Sequence, residues 1–275
     1  MDKRRKTAIY KLIGILIVFG VLFVFTKILP IQSFFSGIDG TVKKVEDKYT
    51  PVFKDYAQNE DDVFGKDEDI DLSSDARALS ALKSIPDYTG QDVIPVNDNK
   101  PFFTPKEYNS PSFEHYEKLD SLGRCGLCRA LVSKYSLPKT ERGEIGYIKP
   151  TGWQQAKYEG YINSNPPYLY NRCHLIGWQL TGCNDKSNLI TGTRYFNAEL
   201  MLPYENAVAT LAKKGKKILY RVIPYFKNNE LLARGILLEA YCIGNPKKSF
   251  CVFIYNVQPG ITIDYQSGLS TLTTK

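Results

Sequence analysis

Four residues in the second half of the chain carry groups suited to acid–base and metal chemistry: His174, Asn188, Asn197 and Glu205. His174 is one of only two histidines; the other, His115, sits in the polar run Ser-Phe-Glu-His-Tyr-Glu-Lys. An imidazole titrates near neutrality, so it is the side chain best placed to take a proton from water at pH 7. An asparagine oxygen and a glutamate carboxylate are hard donors that suit Mg2+, with Mn2+ the alternative, and Mg2+ accepts few protein ligands. Asn197 and Glu205 are eight residues apart, a little over two helical turns, which brings both toward one face. Pro203 lies between them, so an unbroken helix is not assumed. Each residue also has a plain structural use: a lone histidine often completes a buried polar network, and asparagines make turns and caps.

The elements that must position these groups are short. Leu169–Leu175 reads as a strand bearing His174, and Asn188–Thr193 as a second strand. Pro203–Lys214 reads as a helix, with Pro203 tolerated in the first turn and Gly215 as its stop. Beyond it, Lys217–Pro224, Leu231–Ile243 and Ser249–Val257 read as an antiparallel sheet with alternating apolar side chains. A short helix is expected near Asp75–Lys83. The chain divides into a cytoplasmic tip and anchor (1–30), an acidic, proline-punctuated extracellular stalk (31–110) and a domain (111–275).

Lys3–Lys6 precede an apolar run from Leu12 to Thr26. Flanking lysines can snorkel and Ile28 and Leu29 extend the run, so it reads as a transmembrane helix with its basic end in the cytoplasm. A cleaved signal peptide is the rival, but no small-x-small site follows. From Lys118 to Lys275 there are 21 Lys/Arg against 10 Asp/Glu, whereas Leu29–Glu117 holds 9 against 18. A basic domain behind an acidic segment suits a polyanionic partner, and equally a merely solvated surface. Six cysteines accord with an outside location, where disulfides persist. Cys242 and Cys251 flank the turn Gly244-Asn245-Pro246-Lys247 and are the candidate cross-strand disulfide. Cys125 and Cys128 form a lone CxxC without a second half, which argues against zinc.

The run Asn171-Arg-Cys-His-Leu-Ile-Gly-Trp-Gln-Leu-Thr-Gly182, then Ser187-Asn-Leu-Ile-Thr-Gly-Thr-Arg-Tyr-Phe-Asn197 and Met201-Leu-Pro-Tyr-Glu205, resembles the DNA/RNA non-specific endonuclease family, the ββα-metal nucleases, and most closely its membrane-bound branch. The resemblance spans about residues 110–266 and includes Leu119–Cys125, Ile148–Trp153 and Tyr255–Asp264. It implies an α+β fold: a ββα core with a central antiparallel sheet flanked by helices, behind the N-terminal transmembrane helix. It implies cleavage of DNA and RNA, with His174 as general base, Asn197 as the Mg2+ ligand, Glu205 holding a metal-associated water and Asn188 ordering the site. The family's Asp-Arg-Gly-His motif is here Asn171-Arg172-Cys173-His174, and Cys173 is a further disulfide candidate with Cys125, Cys128 or Cys183. The family's arginine one turn after the glutamate is replaced by Ala209. The phosphate-stabilising arginine is therefore sought among Arg172, Arg194, Arg124 and Arg129, and substrate contacts among Arg124, Arg129, Lys186 and Lys213. The same features suit a catalytically inactive nucleic-acid receptor of a surface DNA-uptake complex, or a module with cell-wall partners. The oligomeric state is not legible in the sequence.

Overall fold

Three consecutive apolar runs near the C-terminus build the centre of the molecule. The computed structural model describes residues 73–274, which all fall within the compact unit Thr50–Lys275. Strands β6 (Ile218–Tyr225), β7 (Gly235–Cys242) and β8 (Phe250–Tyr255) pair antiparallel, Arg221 facing Glu239 and Glu239 facing Cys251. Every residue of β7 and β8 is buried, and all of β6 but Tyr225. Both faces are covered, so the alternation expected from the sequence gives way to continuous burial. The full sheet is six-stranded, ordered β1-β8-β7-β6-β3-β2, with β1 at Val93–Pro95, β2 at Glu114–Tyr116 and β3 at Cys128–Val132. Pro95 cannot donate to a ladder and is accommodated because β1 is an edge strand.

Helix α1 (Ser74–Leu82) packs Ala78 and Leu82 against Ile223, Leu237, Phe253 and Tyr255 on one face. The other face meets the functional unit, a hairpin of β4 (Tyr170–His174) and β5 (Leu189–Thr193) followed by helix α3 (Leu202–Lys213). Between the two strands runs the short helix α2 (Trp178–Thr181). Tyr204 of α3 meets Phe250 edge-on, ring centroids 4.9 Å apart. A two-stranded ribbon, β9 (Ile261–Ile263) with β10 (Ser270–Leu272), completes the chain. This is the expected α+β arrangement, a central antiparallel sheet flanked by helices. The anchor at 1–30 lies outside the described residues. Residues 73–110, read from the sequence as the end of the stalk, contribute α1 and the edge strand β1 to the domain.

Two expectations about cysteines are corrected. All six are free thiols. Cys251 faces Glu239 and shares the α1 face with Phe253, whereas Cys242 faces Ile218 and alternates with Tyr241 onto the opposite face. Side chains on opposite faces of a sheet cannot meet. Cys173 is equally unavailable for a disulfide: it is buried, and its thiol contacts the Met201 Sδ at 3.3 Å. The Cys125 thiol donates to the carbonyls of Lys186 and Leu189.

Charge is buried where α1 meets the sheet. Arg221 and Glu239 are both 0% exposed and paired at 2.8 Å. Asp75 of α1 lies 3.0 Å from the same guanidinium and 2.9 Å from Arg129. Glu239 also accepts the Phe102 N–H at 2.7 Å, and the Phe103 ring lies under Arg221 at 4.3 Å. These bonds stitch residues 74–103 to the sheet centre. Burial raises the Glu239 pKa and Arg221 opposes that rise. A buried pair adds little over an apolar pair, but losing one partner strands the other charge, at about 3–5 kcal/mol. Glu239→Ala should therefore lower stability by about that amount, measured as the urea midpoint; a change under about 1 kcal/mol would mean the network is not closed as described.

Candidate active site

His174 ends β4, opposite Leu189 of β5, and is only 6% exposed. Its Nε2 lies 2.9 Å from the Asn184 carboxamide oxygen, and its Nδ1 lies 3.5 Å from Arg142 Nη2. With the amide oriented this way its oxygen can only accept, so Nε2 carries the proton and Nδ1 keeps its lone pair. Burial pushes the imidazole pKa down to about 4, and Arg142 adds to the shift while Asn184 opposes it. The ring is thus neutral at pH 7, as a general base must be.

Asn188 is fully buried and does no chemistry directly. Its oxygen accepts the Ile176 N–H at 2.8 Å, and its amide donates to the carbonyls of Ile176 and Cys183 at 2.9 and 3.1 Å. It therefore fixes both ends of the loop that leaves His174 and carries Asn184. Asn197 lies in a π-helical turn, Phe196–Met201, that runs directly into α3. Single π turns are rare and concentrate at functional sites. Pro203 is absorbed in the first turn of α3, where a missing N–H costs nothing.

Glu205, in that same first turn, seats its carboxylate against Gly177. A Cβ on Gly177 would stand 2.7–2.9 Å from the carboxyl atoms, so a side chain there would displace the carboxylate from this seat. Burial raises the Glu205 pKa to about 7, with Gln179 and Arg142 pulling the other way. A carboxylate held at that cost is the kind a cation would satisfy, and Asn197 offers a second oxygen on the same cleft. Among the described residues no group of three or more His, Cys, Asp or Glu could hold a metal ion. That donor set fits a hard ion that retains most of its water.

His174, Asn197, Glu205, Arg172, Arg194 and Arg142 all line one cleft of about 1030 Å³. A second cavity, about 410 Å³ and lined by Tyr88, Tyr225, Arg234 and Tyr265, contains none of them. His115 lies exposed on the edge strand β2, opposite Arg129 and away from the cleft. The other expected cations divide. Arg194 is exposed at the cleft, whereas Arg172 stacks on Trp153 at 4.3 Å and donates to the carbonyls of Gly146 and Ile148. Arg124 is spent on Asp120 and the carbonyls of Asn228 and Glu230, and Arg129 on Asp75. Neither lines the cleft, nor do Lys186 and Lys213. The sequence reading missed Arg142 and Asn184. Arg142 stands 32 residues before His174 in a segment without regular structure, and no local pattern marks it.

The depressed His174 pKa has a sign. An unfolded histidine binds its proton near 6.5 and the folded one near 4, so the unfolded state gains protons in that window. Stability present above pH 6.5 is lost as the pH falls toward 4. Relative to His174→Gln, the wild type should lose on the order of 1 kcal/mol per pH unit across that range, measured by urea unfolding of both proteins; parallel curves would contradict the burial.

The family model for DNA/RNA non-specific endonuclease matches residues 105–243. The fold is similar to that of NucA from Streptococcus agalactiae. The structure of that protein with no metal bound aligns at TM-score 0.59 and 23% identity, covering 72% of this chain and 95% of that one. Its structure with magnesium ion bound aligns at TM-score 0.62 and 22% identity, covering 72% and 94%. A family match across half the chain, on residues that build the cleft, leads to one conclusion: this chain belongs to the DNA/RNA non-specific endonuclease family and is a nuclease.

Proposed function

We propose that the protein hydrolyses phosphodiester bonds of DNA and RNA without sequence preference, at the outer cell surface. The observation that carries this reading is the convergence of His174, Asn197 and Glu205 on one arginine-lined cleft. His174 Nδ1 removes a proton from a water molecule while Nε2–H stays bonded to Asn184. The water oxygen attacks phosphorus, the bond to the 3′ oxygen breaks, that oxygen takes a proton from solvent water, and the products are a 5′-phosphate and a 3′-hydroxyl. Arg142, beside the base, and Arg194 face the growing negative charge on the phosphate. Asn197 and Glu205 would hold Mg2+, or Mn2+, a Lewis acid that relieves charge on the phosphate and the leaving oxygen. The magnesium-bound NucA structure supports a divalent ion.

The departures from the family motif are compatible with this chemistry. Cys173 points into the core against Met201, so it leaves the cleft free. Ala209 is buried, so a cation there would have to emerge from the core, and Arg142 is a cation that does line the cleft. The ribose 2′-hydroxyl takes no part, so RNA and DNA are both substrates. Contacts to phosphate rather than to base edges give no sequence preference. Surface location rests on Lys3–Lys6 and the apolar run Leu12–Thr26. The free thiols lend it nothing.

Plasmid nicking by the full chain, with and without chelator, tests the reading. His174→Ala should lower the rate by about 10²–10⁴, and His115→Ala should leave it unchanged. Arg142→Ala should cost about 10²–10³, as loss of one charge-stabilising donor does. Near-normal cutting by His174→Ala would overturn the assignment of the base. Binding without nicking under any divalent ion would favour the inactive receptor instead.

A further inference from the structure

The cleft holds aromatic rings that the hydrolytic chemistry does not use. Tyr168, Trp153 and Trp178 line it beside the arginines. Tyr168 is the informative one. It sits two residues ahead of β4: Leu169 beside it is fully buried, and Tyr170, which also borders the cleft, is buried with its hydroxyl bonded to the Gly268 carbonyl. Tyr168 instead is 41% exposed, on the cleft side. Its backbone is bridged antiparallel to Lys157, whose Nζ stands 5.0 Å from the ring centroid. The ring is therefore held in place without being buried. Tyr135, Tyr147 and Tyr161 are more exposed, but none of them lines the cleft.

We propose, granting the nuclease reading of the cleft, that Tyr168 with Lys157 forms a stacking platform for an unpaired base next to the phosphate being cut, so that single-stranded nucleic acid is the preferred substrate. Every base has a π-face, so stacking on tyrosine is indifferent to sequence. In a duplex those faces are covered by neighbouring bases, and exposing one costs a few kcal/mol. The Lys157 ammonium stands over the ring without lining the cleft, so it steadies the ring rather than touching the strand. Arg142 and Arg194 on the cleft walls complement the strand's charge. A site that needed only backbone phosphates would gain nothing from an open ring here.

The chain has two tryptophans, and both line the cleft, so intrinsic fluorescence reports occupancy directly. The test uses full-length protein carrying His174→Ala to prevent cutting, in detergent with Mg2+, titrated with a short oligothymidylate and with an abasic strand of equal length. Adding Tyr168→Ala should weaken oligothymidylate binding roughly 5- to 100-fold, leave abasic binding unchanged, and be rescued by Tyr168→Phe. In otherwise wild-type protein, Tyr168→Ala should also narrow the ratio of single-strand to duplex cutting rates. Equal losses on both strands, or no loss on either, would overturn the platform and leave the nuclease reading intact. Failure of the parent protein to bind either strand would overturn both.

Discussion

The His174 ring is held at both of its nitrogens, and the architecture of the cleft is arranged around that constraint. The Asn184 oxygen holds Nε2–H, which leaves the Nδ1 lone pair turned toward Arg142 Nη2 at 3.5 Å. Asn184 is held in turn because Asn188 clamps the backbone at Ile176 and Cys183 on either side of the loop. Without that clamp the loop between β4 and β5 would be a fourteen-residue excursion (175–188) stiffened only by α2 and a short 3-10 turn at Lys186–Asn188. The motif position that is Asn171 rather than aspartate leaves a neutral side chain lining the cleft, its amide nitrogen without a hydrogen-bond partner. Asn184, not Asn171, bonds the imidazole.

The same economy governs the carboxylate. Glu205 reaches the cleft from the first turn of α3 and rests on Gly177, the residue just before α2. Hairpin and helix therefore meet where the tip of the Glu205 side chain lies against a glycine. Burial raises the Glu205 pKa and lowers that of His174, a separation of the kind that concentrates at working sites. Beneath them the sheet is a rigid floor: β6, β7 and β8 are buried on both faces, and Tyr204 locks α3 onto Phe250. On the far side a closed set of charges around Arg221 draws residues 74–103 into the fold. The domain is thus larger than the residues that do chemistry.

Basic residues in this chain do three different jobs that composition cannot separate. Arg221 and Arg129 close buried or half-buried ion pairs, Arg124 and Arg172 brace loops through carbonyl oxygens, and Arg142 and Arg194 face the cleft. A surplus of positive charge over the domain favours a polyanion at long range. Which cations touch it is a matter of how the others are already engaged.

The sequence alone was enough to identify the long strands, the helix after Pro203 and the histidine that lines the cleft, because each is written in neighbouring residues. Apolar runs bounded by turn residues mark β6, β7 and β8; the motif around His174 and the spacing to Asn197 and Glu205 mark the hairpin and helix. The tertiary structure decided what depends on chain paths between those elements. It brought Arg142 and Asn184 to the two nitrogens of one ring, sent Cys242 and Cys251 to opposite faces, and turned Arg124 and Arg129 away from the cleft. Side-chain period and apolar burial act within a few residues and leave a trace in sequence. A hydrogen bond across a loop leaves none, because its existence rests on where two separately folded segments come to rest.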